Sequence, residues 1–261
     1  MSPFIGRIAL AAMMAASVYT CAIAHDMREI LARKGKLRVG VYPGSPTSMV
    51  RDEKTGETHG LSFDLGQEFA RRLGVGFEQV TYQRISDVIE AMKAGDVDFT
   101  ISNSTPARAA VVTFSPTLLT IELGYLVAAG SSVTSIADVQ RQGIRVGVTQ
   151  GSTSQGAIPK LLPNATVVPA QNYKRAIEML GRGEIDTYAT NKPTLFEMSD
   201  QMPGSKVLDG RWGEEHLGFA IPRGREAALD YLSHFVEHVQ RSGVLAEAVQ
   251  RAGLRGVLEK Q

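Results

Sequence analysis

Arg108 occupies the setting in this sequence that most directly suggests chemistry. It ends the run Ile101-Ser102-Asn103-Ser104-Thr105-Pro106-Ala107-Arg108, which follows on a strand beginning at Val97-Asp98. Polar side chains just past the carboxyl end of a strand lie where open α/β sheets bind ligands. Thr105 or Ser104 is placed to cap a short helix begun by Pro106, and proline suits the first helical position. Arg108 then falls in the first turn, where the helix dipole disfavours a cation. A guanidinium held there points to an anionic partner, and its planar fork can grip a carboxylate through two parallel hydrogen bonds. The alternative is a surface arginine paired with a neighbouring Asp or Glu.

A second polar run, Gly151-Ser152-Thr153-Ser154-Gln155-Gly156, follows the apolar segment Val146-Gly147-Val148. Glycine lets backbone N–H groups approach a ligand, the hydroxyls add hydrogen bonds, and a helix beginning there would favour an anion. The same composition also describes an ordinary loop. The run approaches a G-x-S-x-G nucleophile elbow, but Ser152 stands where the first glycine is needed and no histidine partner is assignable. His234 and His238 are four apart, a spacing able to bind a metal. They lie off the apolar stripe of the last long helix, and a solvated face accounts for them without a metal. The expectation is therefore a binding site with no catalytic residue, metal or cofactor.

These residues need elements to hold them, and the sequence supplies one set twice. Leu37-Arg38-Val39-Gly40-Val41 recurs as Ile144-Arg145-Val146-Gly147-Val148. Ile89-Glu90-Ala91-Met92-Lys93-Ala94-Gly95-Asp96-Val97-Asp98 is echoed by Ile177-Glu178-Met179-Leu180-Gly181-Arg182-Gly183-Glu184-Ile185-Asp186. In each copy a β-rich apolar run reads as a buried strand. An amphipathic helix then stops at a glycine able to take the left-handed position, and a Val/Ile-Asp strand begins. Alternating strands and helices favour a mostly parallel, helix-covered sheet, and two copies in one order predict two similar α/β lobes. Asp64 is placed to cap a helix with Leu65, Phe69 and Leu73 on one face, and Ser86 to cap another through Val88, Ile89 and Met92. Leu229, Leu232, Phe235, Val236 and Val239 form the stripe of a long final helix. No low-complexity linker separates the halves, so short ordered crossings must join them as a hinge.

The ends and the charge narrow the class. Arg7, the apolar run Ile8 to Val18 and Ala22-Ile23-Ala24 have the order of a secretory signal peptide, predicting cleavage after Ala24 and a periplasmic chain. The run is short of the roughly 20 residues that span a bilayer. Cys21, the only cysteine, falls inside that leader, so the mature chain would carry no disulfide; lipidation of Cys21 is the other possibility. Lysines and arginines number 28 against 27 acidic residues, and loss of Arg7 leaves the mature chain formally neutral. Without a basic run, nucleic acid and anionic membrane surfaces are not expected partners.

Taken in order, these motifs resemble those of the extracellular solute-binding proteins of polar amino-acid ABC importers. Gly35 to Val41 resembles that family's opening strand, and Gly60-Leu61-Ser62-Phe63-Asp64-Leu65 its "G-F-x-x-D-L" helix start. Ala94 to Asp98, Thr105 to Arg108 and Phe114-Ser115-Pro116 resemble its "S-G-x-V-D … T-x-x-R … F-S-x-P" series, and Gly147-Val148 with Gly151-Ser152-Thr153 its second-lobe loop. The resemblance implies a type II periplasmic binding fold: two α/β lobes, a ligand cleft between them, and crossings near Leu118–Glu122 and Glu214–Gly218. With the leader read at residues 1–24, it implies one lobe from 25–118 plus 217–261, and the other from 119–216. It implies a monomer that hands an amino acid or small carboxylate to a membrane permease. Arg108 would hold the ligand's α-carboxylate, with Asn103, Ser104 and Thr105 adding hydrogen bonds from one lobe and Ser152 and Thr153 from the other. Tyr42 would be an aromatic wall or part of the lobe packing.

The sequence departs from that family in three places. The aspartate that usually meets a ligand's ammonium, five residues past the "V-D" strand start, is Asn191, counting from Asp186. The segment from Asp98 to Arg108 is shorter, and the "F-S-x-P-Y" motif reads Phe114-Ser115-Pro116-Thr117-Leu118. A charge-assisted hydrogen bond contributes roughly 1.5–3 kcal/mol against about 1 for a neutral one, so the asparagine weakens the case for an ammonium, although its carbonyl can accept from one. A related alternative is an enzyme similar to cyclohexadienyl dehydratases, which needs a general acid in the cleft; no carboxylate there is assignable from sequence. A free sensor domain, signalling through a separate membrane protein, is a third reading.

Overall fold

The computed structural model describes residues 27–258 apart from Glu53. The leader, its cleavage point after Ala24 and Cys21 lie outside the described residues. After a short helical segment at residues 27–31 come strand β1 (Lys36–Val41), a hairpin of β2 (Val50–Arg51) and β3 (Thr58–His59), helix α1 (Leu61–Leu73), strand β4 (Gly76–Thr81), helix α2 (Ile85–Ala94) and strand β5 (Thr100–Asn103). β1 pairs in parallel with β4 and, through a bridge from Val39 to Phe99, with the start of the β5 segment. The short helix α3 (Pro106–Ala109) and strand β6 (Val112–Phe114) lead into the long strand β7 (Leu119–Val127).

The second lobe repeats the scheme with α4 (Ile136–Val139), β8 (Arg145–Thr149), α5 (Thr153–Leu161), β9 (Thr166–Ala170), α6 (Tyr173–Gly181), β10 (Thr187–Asn191) and α7 (Lys192–Asp200). β11 (Lys206–Val207) precedes the return strand β12 (Gly213–Pro222), and α8 (Leu229–Arg241), α9 (Val244–Arg251) and β13 (Val257–Leu258) close the chain. The large sheet runs β5-β12-β7-β10-β8-β9. β7 and β12 are its centre. Leu119–Leu123 pair antiparallel with Leu217–Gly213, while the far end of β7 pairs with β10 and the far end of β12 with β5 and β6. These two strands are the crossings that the resemblance implies, and they hydrogen-bond to each other.

Each lobe has its own core. In the first, α1 and α8 bring Phe69 and Phe235 against Phe99 and Phe219, with ring centroids 4.6–5.1 Å apart. In the second, Val146, Val148, Ile158 and Ala189 pack on one face of the sheet and Leu180, Ile185, Tyr188 and Leu195 on the other.

The repeated motif has a physical reason in both lobes. Arg38 donates from its backbone N–H (3.1 Å), Nε (2.8 Å) and Nη2 (2.8 Å) to the carboxylate of Asp98. Arg145 does the same to Asp186, at 2.7, 3.1 and 2.6 Å. Each fork ties the first strand of a lobe to the segment after its helix. The glycine two residues beyond each arginine is set by close approach: a Cβ on Gly40 would lie 2.6 Å from Val88 and 2.8 Å from Val97, and one on Gly147 would lie 2.3 Å from Ile185.

Two expected caps are corrected. α1 begins at Leu61, with Gly60 as its cap residue. Carbonyls of Pro46, Thr47 and Ser48 accept its first free N–H groups at 3.0–3.3 Å, so the loop after β1 does what a side chain would otherwise do. Asp64 sits one turn in and accepts the Gly60 N–H at 3.0 Å. α2 begins at Ile85, its first turn closing on the carbonyl of Arg84; Ser86 lies inside the helix.

Candidate functional site

The site forms where β1, β5 and the crossing β12 meet the amino-terminal ends of α5 and α7. Tyr42, Asn103, Arg108, Ser152, Thr153 and Asn191 all line one cavity of about 60 Å³ between the lobes. A water needs roughly 10–15 Å³ on this measure, so the closed cleft suits a small ligand and not a peptide. Closure is visible in contacts between its lips. The Ser45 and Thr194 hydroxyls are 2.9 Å apart, and Arg84 donates across the gap to Gln150 Oε1 (3.1 Å) and the Gln171 carbonyl (3.3 Å). Gly44, at φ 81°, lies against the Tyr173 ring, where a Cβ would meet it at 2.2 Å.

Thr105 caps α3, its hydroxyl accepting the Arg108 N–H at 3.3 Å, with Pro106 next in the chain. This turns the Arg108 side chain into the cleft, where Nη1 donates to Ser102 Oγ at 2.7 Å. That is the guanidinium's one hydrogen bond among the described residues, and it makes no ion pair among them. Burial lowers its pKa, against the opposing pull of Glu215 and Tyr42. Tyr42 packs its ring against the Val88–Val97 cluster beside the cavity; burial raises its pKa, and hydrogen bonds to Thr47 and Ser45 oppose this. Ser104 and Thr105 are placed differently from the other expected residues. Ser104 is exposed, its N–H given to the His216 carbonyl at 3.0 Å, and neither residue lines this cavity.

From the second lobe, Ser152 caps α5 by accepting the Gln155 N–H at 3.2 Å, so Thr153 is the first residue of that helix. Asn191 caps α7, its Oδ1 accepting the Thr194 N–H at 3.1 Å. Both helix ends turn free N–H groups and positive dipole ends toward the cleft.

Several residues of the cavity lining were not found from sequence, among them Ser45, Arg84, Thr194 and one carboxylate. Glu215, on β12, is buried at 7% exposure and lines the same cavity. Its Oε1 accepts from Thr153 Oγ1 at 2.6 Å and Asn103 Nδ2 at 3.3 Å, and its Oε2 accepts from Asn191 Nδ2 at 3.3 Å. It thereby joins both lobes through the crossing. The signal lay in a period-two pattern: Glu215 shares the inward face of its strand with Leu217, Phe219 and Ile221.

Beyond Thr153 the cleft opens on its outer side into a wider groove floored by Leu123, Leu161 and Trp212. The Trp212 indole donates to the Gly124 carbonyl on β7 at 2.8 Å. His234 is exposed and His238 half-buried on α8, and no three His, Cys, Asp or Glu side chains group as metal ligands among the described residues.

Two α/β lobes joined by paired crossings and closed over a small charged cleft define a solute-binding protein. The chain belongs to the bacterial extracellular solute-binding proteins, family 3, whose profile matches residues 37–253. It is 27% identical to a glutamine-binding protein of Geobacillus stearothermophilus over 73% of this chain and 74% of the relative. Among solved structures it is similar to the ancestral amino acid-binding protein AncCDT-1, a precursor of cyclohexadienyl dehydratase, at 26% identity and a TM-score of 0.74, covering 86% of this chain and 98% of that one. A mutant of ArgBP from T. maritima shares the fold at 23% identity and a TM-score of 0.77, covering 88% and 99%. No helix among the described residues is long and apolar enough to cross a membrane.

Proposed function

We propose that this chain is the periplasmic solute-binding component of an amino-acid ABC importer and carries no catalytic activity. The observation that carries the reading is Arg108: a guanidinium held inside a closed cleft with only Ser102 as hydrogen-bond partner among the described residues is a site for a ligand carboxylate. The family and the glutamine-binding relative support it. The ligand bridges the lobes and favours the closed form through its differential affinity for that form, which a membrane permease then reads. The chain works as a monomer without nucleic acid, and its lobes divide at the crossings into 25–118 with 217–261, and 119–216. A thermal-shift screen of amino acids and small carboxylates tests this, since a ligand at 100 times its Kd adds about 2.7 kcal/mol. At least one such compound is expected to stabilise the wild type and to lose that effect in Arg108→Ala. Binding that survives Arg108→Ala removes the assigned site.

The buried carboxylate of Glu215 favours a second reading, an elimination enzyme similar to cyclohexadienyl dehydratase, with Glu215 as general acid. Turnover of prephenate or arogenate by the wild type, abolished in Glu215→Gln, would establish that reading over the first.

A further inference from the structure

The cleft contains a carboxylate with an acceptor position left over. A carboxylate offers about four acceptor sites, and Glu215 uses three: two on Oε1, for Thr153 and Asn103, and one on Oε2, for Asn191. All three donors are neutral, and two of the bonds are long at 3.3 Å. Glu215 makes no ion pair among the described residues. A buried carboxylate without a cation is costly, and Arg108, across the same cavity, is its counterpart of opposite sign. The remaining charged side chain of the lining, Arg84, is already engaged by Asp87 at 3.0 Å.

Asn191 does not offer the same service. As the cap of α7 it must aim its carbonyl oxygen at the Thr194 N–H, because only the oxygen can accept. Its Nδ2 is then turned to Glu215. The amide thus presents a donor to this part of the cleft, repels an ammonium there and steadies the Glu215 carboxylate instead.

We infer that Glu215 is the acceptor for the ligand's positive group, so that the ligand is a small zwitterion with its carboxylate on Arg108 and its ammonium on Oε2 of Glu215. The acidic partner then sits on the crossing strand, beside the lobe-two helix cap that Asn191 occupies. This rests on the binding-protein reading and adds to it the charge pattern of the ligand and the residue that selects it.

The test is calorimetric titration of the twenty L-amino acids and their 2-hydroxy counterparts into the wild type, Glu215→Gln and the double variant Asn191→Asp/Glu215→Gln. The wild type is expected to prefer an amino acid over its hydroxy counterpart. Glu215→Gln should lose about tenfold or more in affinity for that amino acid and lose less for the hydroxy acid, so that the ratio between the two narrows, and the double variant should regain part of the preference. Equal discrimination by the wild type and Glu215→Gln overturns the inference, as does a wild type indifferent to the amino group. Should Glu215→Gln not fold, Glu215→Asp tests the same residue: it keeps the charge but draws it back by one methylene, and should weaken the amino acid more than the hydroxy acid, equal weakening of both overturning the inference. If no compound of either series binds the wild type, the binding-protein reading itself fails and this inference falls with it.

Discussion

The Arg38–Asp98 and Arg145–Asp186 forks have the same three hydrogen bonds and very different surroundings. In the first lobe the side chains are 7% and 0% exposed, and Arg225 adds a second guanidinium to Asp98 at 2.8 Å. Arg225 leads into the C-terminal helices, so the return of the chain to the first lobe buries its fork. In the second lobe the side chains are 42% and 29% exposed, and among the described residues no second arginine joins. A repeated sequence therefore specifies a repeated local geometry, while the energy of that geometry is set by what the rest of the chain lays over it.

Removing each carboxylate tests this most strongly. Asp98→Asn leaves two buried guanidinium groups short of their counterion and is expected to cost about 3–5 kcal/mol, read as a fall in the urea midpoint. Asp186→Asn should cost about 1 kcal/mol or less. Equal losses would break the comparison.

A smaller difference is expected at the paired glycines. Gly40→Ala drives a methyl into Val88 and Val97, whose branched side chains have little rotamer freedom, and should cost about 1–3 kcal/mol. Gly147→Ala meets Cδ1 of Ile185 at 2.3 Å, the free end of a longer side chain, but also Cδ2 of the buried Tyr188 ring at 2.9 Å, so its cost should approach that of Gly40→Ala. Thermal melts of the two variants rank them.

The smallest effect is one of pH. Hydrogen bonding to Arg145 lowers the pKa of Asp186. A lowered folded-state pKa contributes stability that is fully present above the unfolded value, roughly 3.9, and is lost as pH falls through the folded one. The gap between wild type and Asp186→Asn in urea midpoint should therefore be constant near neutral pH and close only below about pH 4. A gap that closes nearer neutrality would assign the effect to another group.

The strands, the long helices and the glycine stops at Gly95 and Gly183, with φ of 79° and 64°, were legible because periodicity and backbone restriction are local properties. Arg108 was legible because its place in a helix's first turn conflicts with the dipole. The starts of α1 and α2 were not, since the groups that satisfy α1 come from residues 46–48, and no reading of Asp64 alone reveals them. Glu215 was hidden for a related reason. Its chain neighbours Glu214 and His216 are exposed, so the run looks like surface until β12 is known to pass under the cleft. The role of Asn191 was half visible: its identity was plain, but the direction of its amide follows only from its capping of α7.

Trp212 is the chain's one tryptophan, and its hydrogen bond to Gly124 places it on the crossings, at the outer mouth of the cleft. Light absorbed at its indole band is emitted from a single known point. A change in the polarity around that point as the lobes part would shift the emission without any label, so stopped-flow fluorescence on the unmodified chain can time opening and closing.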